Sequence, residues 1–222
     1  MSCGRMGKPP DDTLVSIVGS SYFQPIATLL NELQSLPAPI ATDVQTSSVE
    51  NGLACAISLL AVVCFESFVM RSRYINRSTS AAQRRTALEF LRELYPQFPN
   101  IDELSEAFVL RDVIAHNHLW EIGFSWDDQL GMTLTSATKD PISGDQKYSR
   151  HVDLSTRRTK LLHLHAVPVK VDRTDVFKLL KVVWDALLFL EAQDRSQCYV
   201  SQLRVMFGGK LMLMSEVVKS QP

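Results

Sequence analysis

Apolar residues recur at helical spacing over most of this chain. Ile26, Leu29, Leu30 and Leu33 share one face of a helix expected over residues 23–36. The run Pro37-Ala38-Pro39 ends it, because proline lacks a backbone donor and restricts the residue before it. Residues 49–74 read as one long helix whose first half is apolar almost all round, which marks a buried element. A third helix is expected from Ser80 to about Leu94, closing before Pro96. A fourth starts at Asp102 or Ser105 and carries Leu104, Phe108, Val109, Val113 and Ile114. Asp172 or Thr174 caps a last long helix to about Leu190, with Val176, Leu180, Val183, Trp184 and Leu187 on it.

The pattern changes after Leu119. Residues 119–126, 132–137 and 161–171 are rich in alternating or β-branched side chains and predict strands. A polar loop with Asp140-Pro141 and Ser143-Gly144-Asp145 separates the last two. The expected fold is therefore mainly α, a helical bundle with a β-rich insertion at about 119–171. Residues 1–20 are expected to form a flexible arm, 21–206 the domain and 207–222 a tail. Residues 198–206 suggest a short helix, Gly208-Gly209 an isolated turn, and 210–218 a packed apolar end.

Composition narrows the class. The 222 residues suffice for one domain with a full core. Hydrophobic residues make up 45% and charged residues 21%, which excludes disordered, collagenous and coiled-coil chains. The net charge of -1 gives no global attraction to nucleic acid, so any basic surface is local. Cys3, Cys55, Cys64 and Cys198 have no metal-ligand spacing. The polar opening residues are no secretory signal, and reduced thiols in a cytoplasmic protein are expected. The apolar run at 53–65 is followed at once by Glu66. It is shorter than the roughly 20 residues a bilayer requires, so it predicts a core helix and no membrane association.

The residues with most chemical content are Arg111-Asp112-Val113-Ile114-Ala115-His116, continuing Asn117-His118. Polar groups interrupt a helical segment there, between two core helices. This stretch resembles the HEPN family, whose motif is Arg, a polar residue, three more residues, then His. Chain order is also similar: a long apolar helix ending in Glu66, the motif helix, an excursion, then a long last helix. The resemblance covers roughly residues 50–190 and implies a HEPN-like four- or five-helix bundle with a long insertion. A second pair with the same spacing, Arg158 and His163, precedes a strand-like run and lacks helical context.

The resemblance implies metal-independent RNA cleavage without a cofactor, as in microbial toxin or defence proteins. The ribose 2′-hydroxyl attacks its own phosphate. His116 accepts or returns a proton, and Arg111 stabilises the phosphate charge. Two copies pair so that both motifs line one cleft, so a homodimer is implied, with an antitoxin or defence protein as a further partner. The rival is a non-catalytic HEPN-like module that dimerises or binds a nucleotide or partner. Asp112 shares a helix face with His116 and either orients the imidazole or is solvated. Asn117 is a substrate contact or a helix C-cap. His118 stands where some family members carry a modifiable tyrosine, so that regulation is not expected. Glu66 pairs with Arg111 across the bundle or faces solvent.

Charge is distributed unevenly. Residues 71–92 hold six Arg and one acid, and residues 139–160 six basic and three acidic side chains. Either run suits phosphates or a solvated face. Residues 102–128 hold seven carboxylates and one Arg, which opposes RNA binding unless folding turns them away. His163 and His165 alternate on an expected strand, with no third metal ligand evident. Trp120, Trp126 and Trp184 are expected in the core or an interface.

Overall fold

The computed structural model describes residues 18–37, 44–127, 131–140, 146–193 and 199–221. Residues 1–17 of the expected arm at 1–20, Cys3, Cys198, Ala38-Pro39 and the loop residues 141–145 lie outside the described residues, while the last residues of that arm enter a 3-10 turn (Gly19–Tyr22) with Gly19 buried.

Helix α1 (Phe23–Ser35) buries Ile26, Leu30 and Leu33 against α2 (Ser48–Ile75). Ser47 caps α2 by accepting the Glu50 amide. The third helix is shorter than expected. A 3-10 turn at Ser80–Gln83 precedes α3 (Ala87–Leu94), and a capping box between Thr86 and Glu89 sets the start of α3. Helix α4 (Ile101–Ala115) follows, and the bundle closes with α6 (Arg173–Gln193), which packs on α2 and α4. Asp172 caps α6 by accepting the Thr174 and Asp175 amides. Phe65, Phe90, Leu104, Leu110, Leu179 and Leu187 fill the core.

At 28 residues, α2 is the one helix among the described residues long and apolar enough to cross a bilayer, although a buried core helix meets the same description. The expectation counted only the run 53–65. In the fold α2 is central, and its two carboxylates, Glu50 and Glu66, pair with arginines of α6 and α4. Arg173 binds both Glu50 carboxylate oxygens, at 2.8 and 2.9 Å. That contact holds the Glu50 carboxyl below the ordinary glutamate value. Its stabilisation is full above the unfolded value of about 4.3 and is lost as pH falls through the lower folded value. Melting temperature should therefore drop on the acid side of pH 4–5, and Glu50→Gln should flatten that part of the profile.

The excursion between α4 and α6 differs most from expectation. Strands β1 (Trp120–Asp127) and β2 (Gly131–Lys139) form the expected antiparallel hairpin. Its tip carries Phe124 and Trp126, 53% and 67% exposed, so Trp126 is not a core residue of the chain. Helix α5 (Gln146–His151) opens where a polar loop is expected. Two-residue strands β3 (Val152–Asp153) and β4 (Arg158–Thr159) pair next.

Residues 161–171 are not a strand. They form turns, one isolated bridge and a 3-10 turn at Pro168–Lys170. The reason is that side chains take the amides a ladder would use. The fully buried Glu106 accepts the Leu161 and Leu162 amides at 2.9 and 2.8 Å. Thr159 Oγ1 accepts Leu164 N, and Asp175 accepts His165 N. Leu164 and Ala166 still plug the core, which produced the apolar alternation.

Another departure is at the C-terminal end. The expected helix at 198–206 is replaced by hairpin β5 (Arg204–Phe207) and β6 (Lys210–Leu213), followed by α7 (Met214–Lys219). Gly208 and Gly209 both have positive φ, 56° and 75°, which a two-residue hairpin turn of this kind requires. The buried Glu191 accepts the Val200 and Ser201 amides beside it. Glu50, Glu106, Asp175 and Glu191 thus each use a buried carboxylate to fix a loop backbone.

Candidate functional site

Helix α4 lies between two apolar clusters. Leu104, Ala107, Phe108 and Leu110 face the bundle, while Val109 and Val113 pack with Tyr148, Val152 and Ala166 of the excursion. Its apolar residues therefore surround it, and its few polar side chains emerge at seams. Arg111 emerges between α2, α4 and α5.

There Arg111 Nη2 donates to Glu66 Oε1 at 3.2 Å, so of the two placements the sequence left open for Glu66 the cross-bundle pair is the one that forms. Arg111 Nε lies 3.2 Å from Asp112 Oδ1, shielded from solvent but not aligned for a hydrogen bond. Lys147 Nζ of α5 donates to Asp112 Oδ2 at 2.7 Å. Both cations also sit near the Phe108 ring, at 5.6 and 5.5 Å from its centroid. A string of four alternating charges therefore links three helices.

His116 lies elsewhere. It is the exposed C-cap of α4. Asn117 follows with φ 47°, its amide bonding Ile114 O, while the His118 amide bonds Val113 O. This is a Schellman ending, so Asn117 serves as the helix-terminating residue. The reversal turns His118 inward, where it is 7% exposed and packs on Tyr148 with ring centroids 5.1 Å apart. Asp112 is engaged by Lys147 and Arg111 rather than by the His116 imidazole. The fold thus gathers Glu66, Arg111 and Asp112, and leaves His116, Asn117 and His118 apart from them.

Arg111 opens onto a cleft of about 560 Å³. Glu66, Met70 and Arg73 form one wall, since three- and four-residue steps align them on α2. Arg85 comes from the segment just before α3, Arg92 from the last turn of α3, and Lys147 and His151 from α5. Five cations therefore line the cleft, against two carboxylates, Glu66 and Glu89. Arg73 donates to Thr86 O and lies over the Phe90 ring, with no carboxylate partner among the described residues. Arg85 is exposed and likewise unpaired among them.

Much of the acidity of residues 102–128 is engaged by partners, two of them cations of this cleft. Glu106 is buried on loop amides, Asp102 pairs with Arg92, and Asp112 pairs with Lys147. None of the described carboxylates in that stretch lines the cleft. Comparison with protein-family models, curated proteins and solved structures gives no significant match.

The second Arg/His pair has a structural explanation. Arg158 donates to His163 O at 2.8 Å and contacts His165 Nε2 at 2.7 Å. Folding does bring Asp172 and Asp175 to His165, which sequence spacing did not reveal, while His163 sits at positive φ outside that cluster. A guanidinium only donates, so His165 Nε2 accepts and Nδ1 carries the proton to Asp175 Oδ2, 2.9 Å away. Asp175 also accepts the His165 and Asp172 amides. These side chains close the loop before α6.

Sequence reasoning missed Lys147 and His151 as site residues. The available signal was their four-residue spacing within a basic stretch, but no apolar periodicity marked the short helix carrying them.

Proposed function

We propose that this chain is a metal-independent endoribonuclease whose RNA strand runs through the cationic cleft beside Arg111. The observation that carries the reading is the cleft itself: the arginine of the HEPN-like motif meets four further cations there, of which Arg73 and Arg85 have no carboxylate partner among the described residues. Arginine presents a planar fork suited to phosphate oxygens. Among the described residues Arg111 donates one hydrogen bond, to Glu66. In this reading the guanidinium stabilises the phosphate charge as the 2′-hydroxyl attacks and the 5′-oxygen leaves.

His116 belongs to the reading as a proton donor from a second copy. It faces solvent at the end of α4, and the exposed Phe124 and Trp126 of the neighbouring hairpin offer an apolar surface for a homodimer. A HEPN-like bundle, a cytoplasmic location, and a role in a toxin or defence system with a protein partner complete the proposal.

One observation favours the alternative, a non-catalytic HEPN-like module that binds a nucleotide or partner: His116 lies outside the cleft of its own chain. The two separate in one assay. Labelled RNA in chelator should be cut to 2′,3′-cyclic phosphate ends by the wild type, and light scattering should show a dimer at micromolar concentration. Cleavage that vanishes in chelator contradicts the mechanism. RNA binding without any cleavage selects the non-catalytic module.

A further inference from the structure

The cleft contains a titratable group that the Arg/His motif does not supply. His151 ends α5 and lines the cleft with Lys147, one helical turn before it. His116 does not line it. We propose that His151 is the general base of this cleft, taking the 2′-hydroxyl proton of an RNA strand whose phosphate is held by Arg73, Arg85 and Arg111. The proposal rests on the ribonuclease reading and adds a residue to it.

The placement comes from the architecture. Glu106 and Thr159 fix the backbone that follows β4, and Lys160 donates its amide to the His151 carbonyl at 2.9 Å. Tyr148, three residues before His151, is buried against α4. The short helix is therefore held at both faces, and its exposed side presents Lys147 and His151 to the cleft. Among the described residues nothing hydrogen-bonds the His151 ring.

Several charges face the imidazole. Glu106 and Asp102 come from α4, and Lys147 and Arg150 from its own helix. Arg73, Arg85, Arg92, Arg111, Glu66 and Glu89 share the cleft. Burial has the largest effect and lowers the His151 pKa below the ordinary histidine value; Arg150 and Lys147 act in the same direction, and the two carboxylates oppose it. At pH 7 the ring is therefore neutral, with one nitrogen able to accept a proton.

The step balances without a metal or redox partner. A neutral His151 nitrogen takes the 2′-hydroxyl proton as the O2′–P bond forms. The P–O5′ bond breaks, and His116 of a second copy protonates the leaving 5′-oxygen. His151 then releases its proton to water, and His116 takes one back from water, which restores both residues. The products are a 2′,3′-cyclic phosphate and a 5′-hydroxyl. A strand lacking a free 2′-hydroxyl should bind but not react.

The test compares wild type, His151→Ala and His151→Gln on labelled single-stranded RNA in chelator from pH 5 to pH 8. A 2′-O-methyl strand of the same sequence measures binding by fluorescence anisotropy, and thermal melts check folding. The wild-type rate should rise with pH on the acid side, as His151 loses its proton. Both variants should lose about a hundredfold or more in cleavage, lose the rise with pH, and bind the 2′-O-methyl strand as the wild type does. Two folded variants that cleave like wild type with its pH profile overturn the proposal and leave the ribonuclease reading intact. Equal losses in cleavage and binding also overturn it, by making His151 a binding residue. A wild type that cleaves nothing overturns both.

Discussion

Arg111→Ala should lower RNA cleavage by about a hundred- to a thousandfold, the usual loss when a preorganised donor to a developing charge is removed. The fold should survive. Arg111 and Glu66 are each about one-third exposed, or slightly less, on their side chains, and such pairs contribute at most about 1 kcal/mol. Lys147 remains to hold Asp112 at 2.7 Å. Arg111→Lys should recover only part of the rate, because lysine presents a point charge where the fork is needed. Rates in chelator, with circular dichroism on the same samples, check this. An Arg111→Ala protein that cleaves at the wild-type rate would remove the motif arginine from the mechanism.

Glu106→Ala should produce the largest loss of stability. The fully buried carboxylate accepts the Leu161 and Leu162 amides, and its removal leaves both donors without their partner. Hydrogen bonds to a charged acceptor contribute about 1.5–3 kcal/mol each, so a loss of about 3 kcal/mol is expected. For a chain of this size that is a fall of roughly 6–12 °C in melting temperature. Glu106→Gln should fall between the two, since its amide retains one acceptor oxygen and turns a donor toward the loop. Thermal melts of the three proteins check the order. Hydrogen exchange should also show faster exchange at residues 159–166 in Glu106→Ala. An Ala variant that melts with the wild type would mean that the loop is held by its apolar plugs alone.

These two residues show what the sequence made readable and what it did not. The helices around Ile26, Leu30, Phe65, Val113 and Leu187 were legible because burial on one or more faces leaves a regular spacing. The β1–β2 hairpin was legible from alternation at residues 119–126 and 132–137. The Glu66–Arg111 pair was only half legible: both lie at polar interruptions of core helices, but the sequence left Glu66 open between Arg111 and solvent. Residues 161–171 misled for a specific reason. Leu164 and Ala166 alternate into the core, but the amides of Leu161, Leu162, Leu164 and His165 are taken by Glu106, Thr159 and Asp175, and a distant carboxylate leaves no trace in local periodicity. The β5–β6 hairpin was readable and missed: Gly208-Gly209 between two short apolar runs is a two-residue turn signal. Helix α5 is short, with only Tyr148 buried, so nothing apolar announced the face that carries Lys147 and His151.

The central claim is that the cleft holds an RNA strand by its phosphates, and binding tests it without relying on catalysis. The measurement is anisotropy of a labelled 2′-O-methyl single strand across a salt series, comparing wild type with Arg73→Glu/Arg85→Glu. These two cations line the cleft and have no carboxylate partner among the described residues, so reversing them leaves no acid newly unpaired there. Removing two phosphate contacts from a single strand should flatten the slope of log affinity against log salt by about 1.4. The account predicts that flattening together with at least a tenfold loss of affinity at low salt. An unchanged affinity and slope would contradict it, because the strand would then bind elsewhere on the molecule.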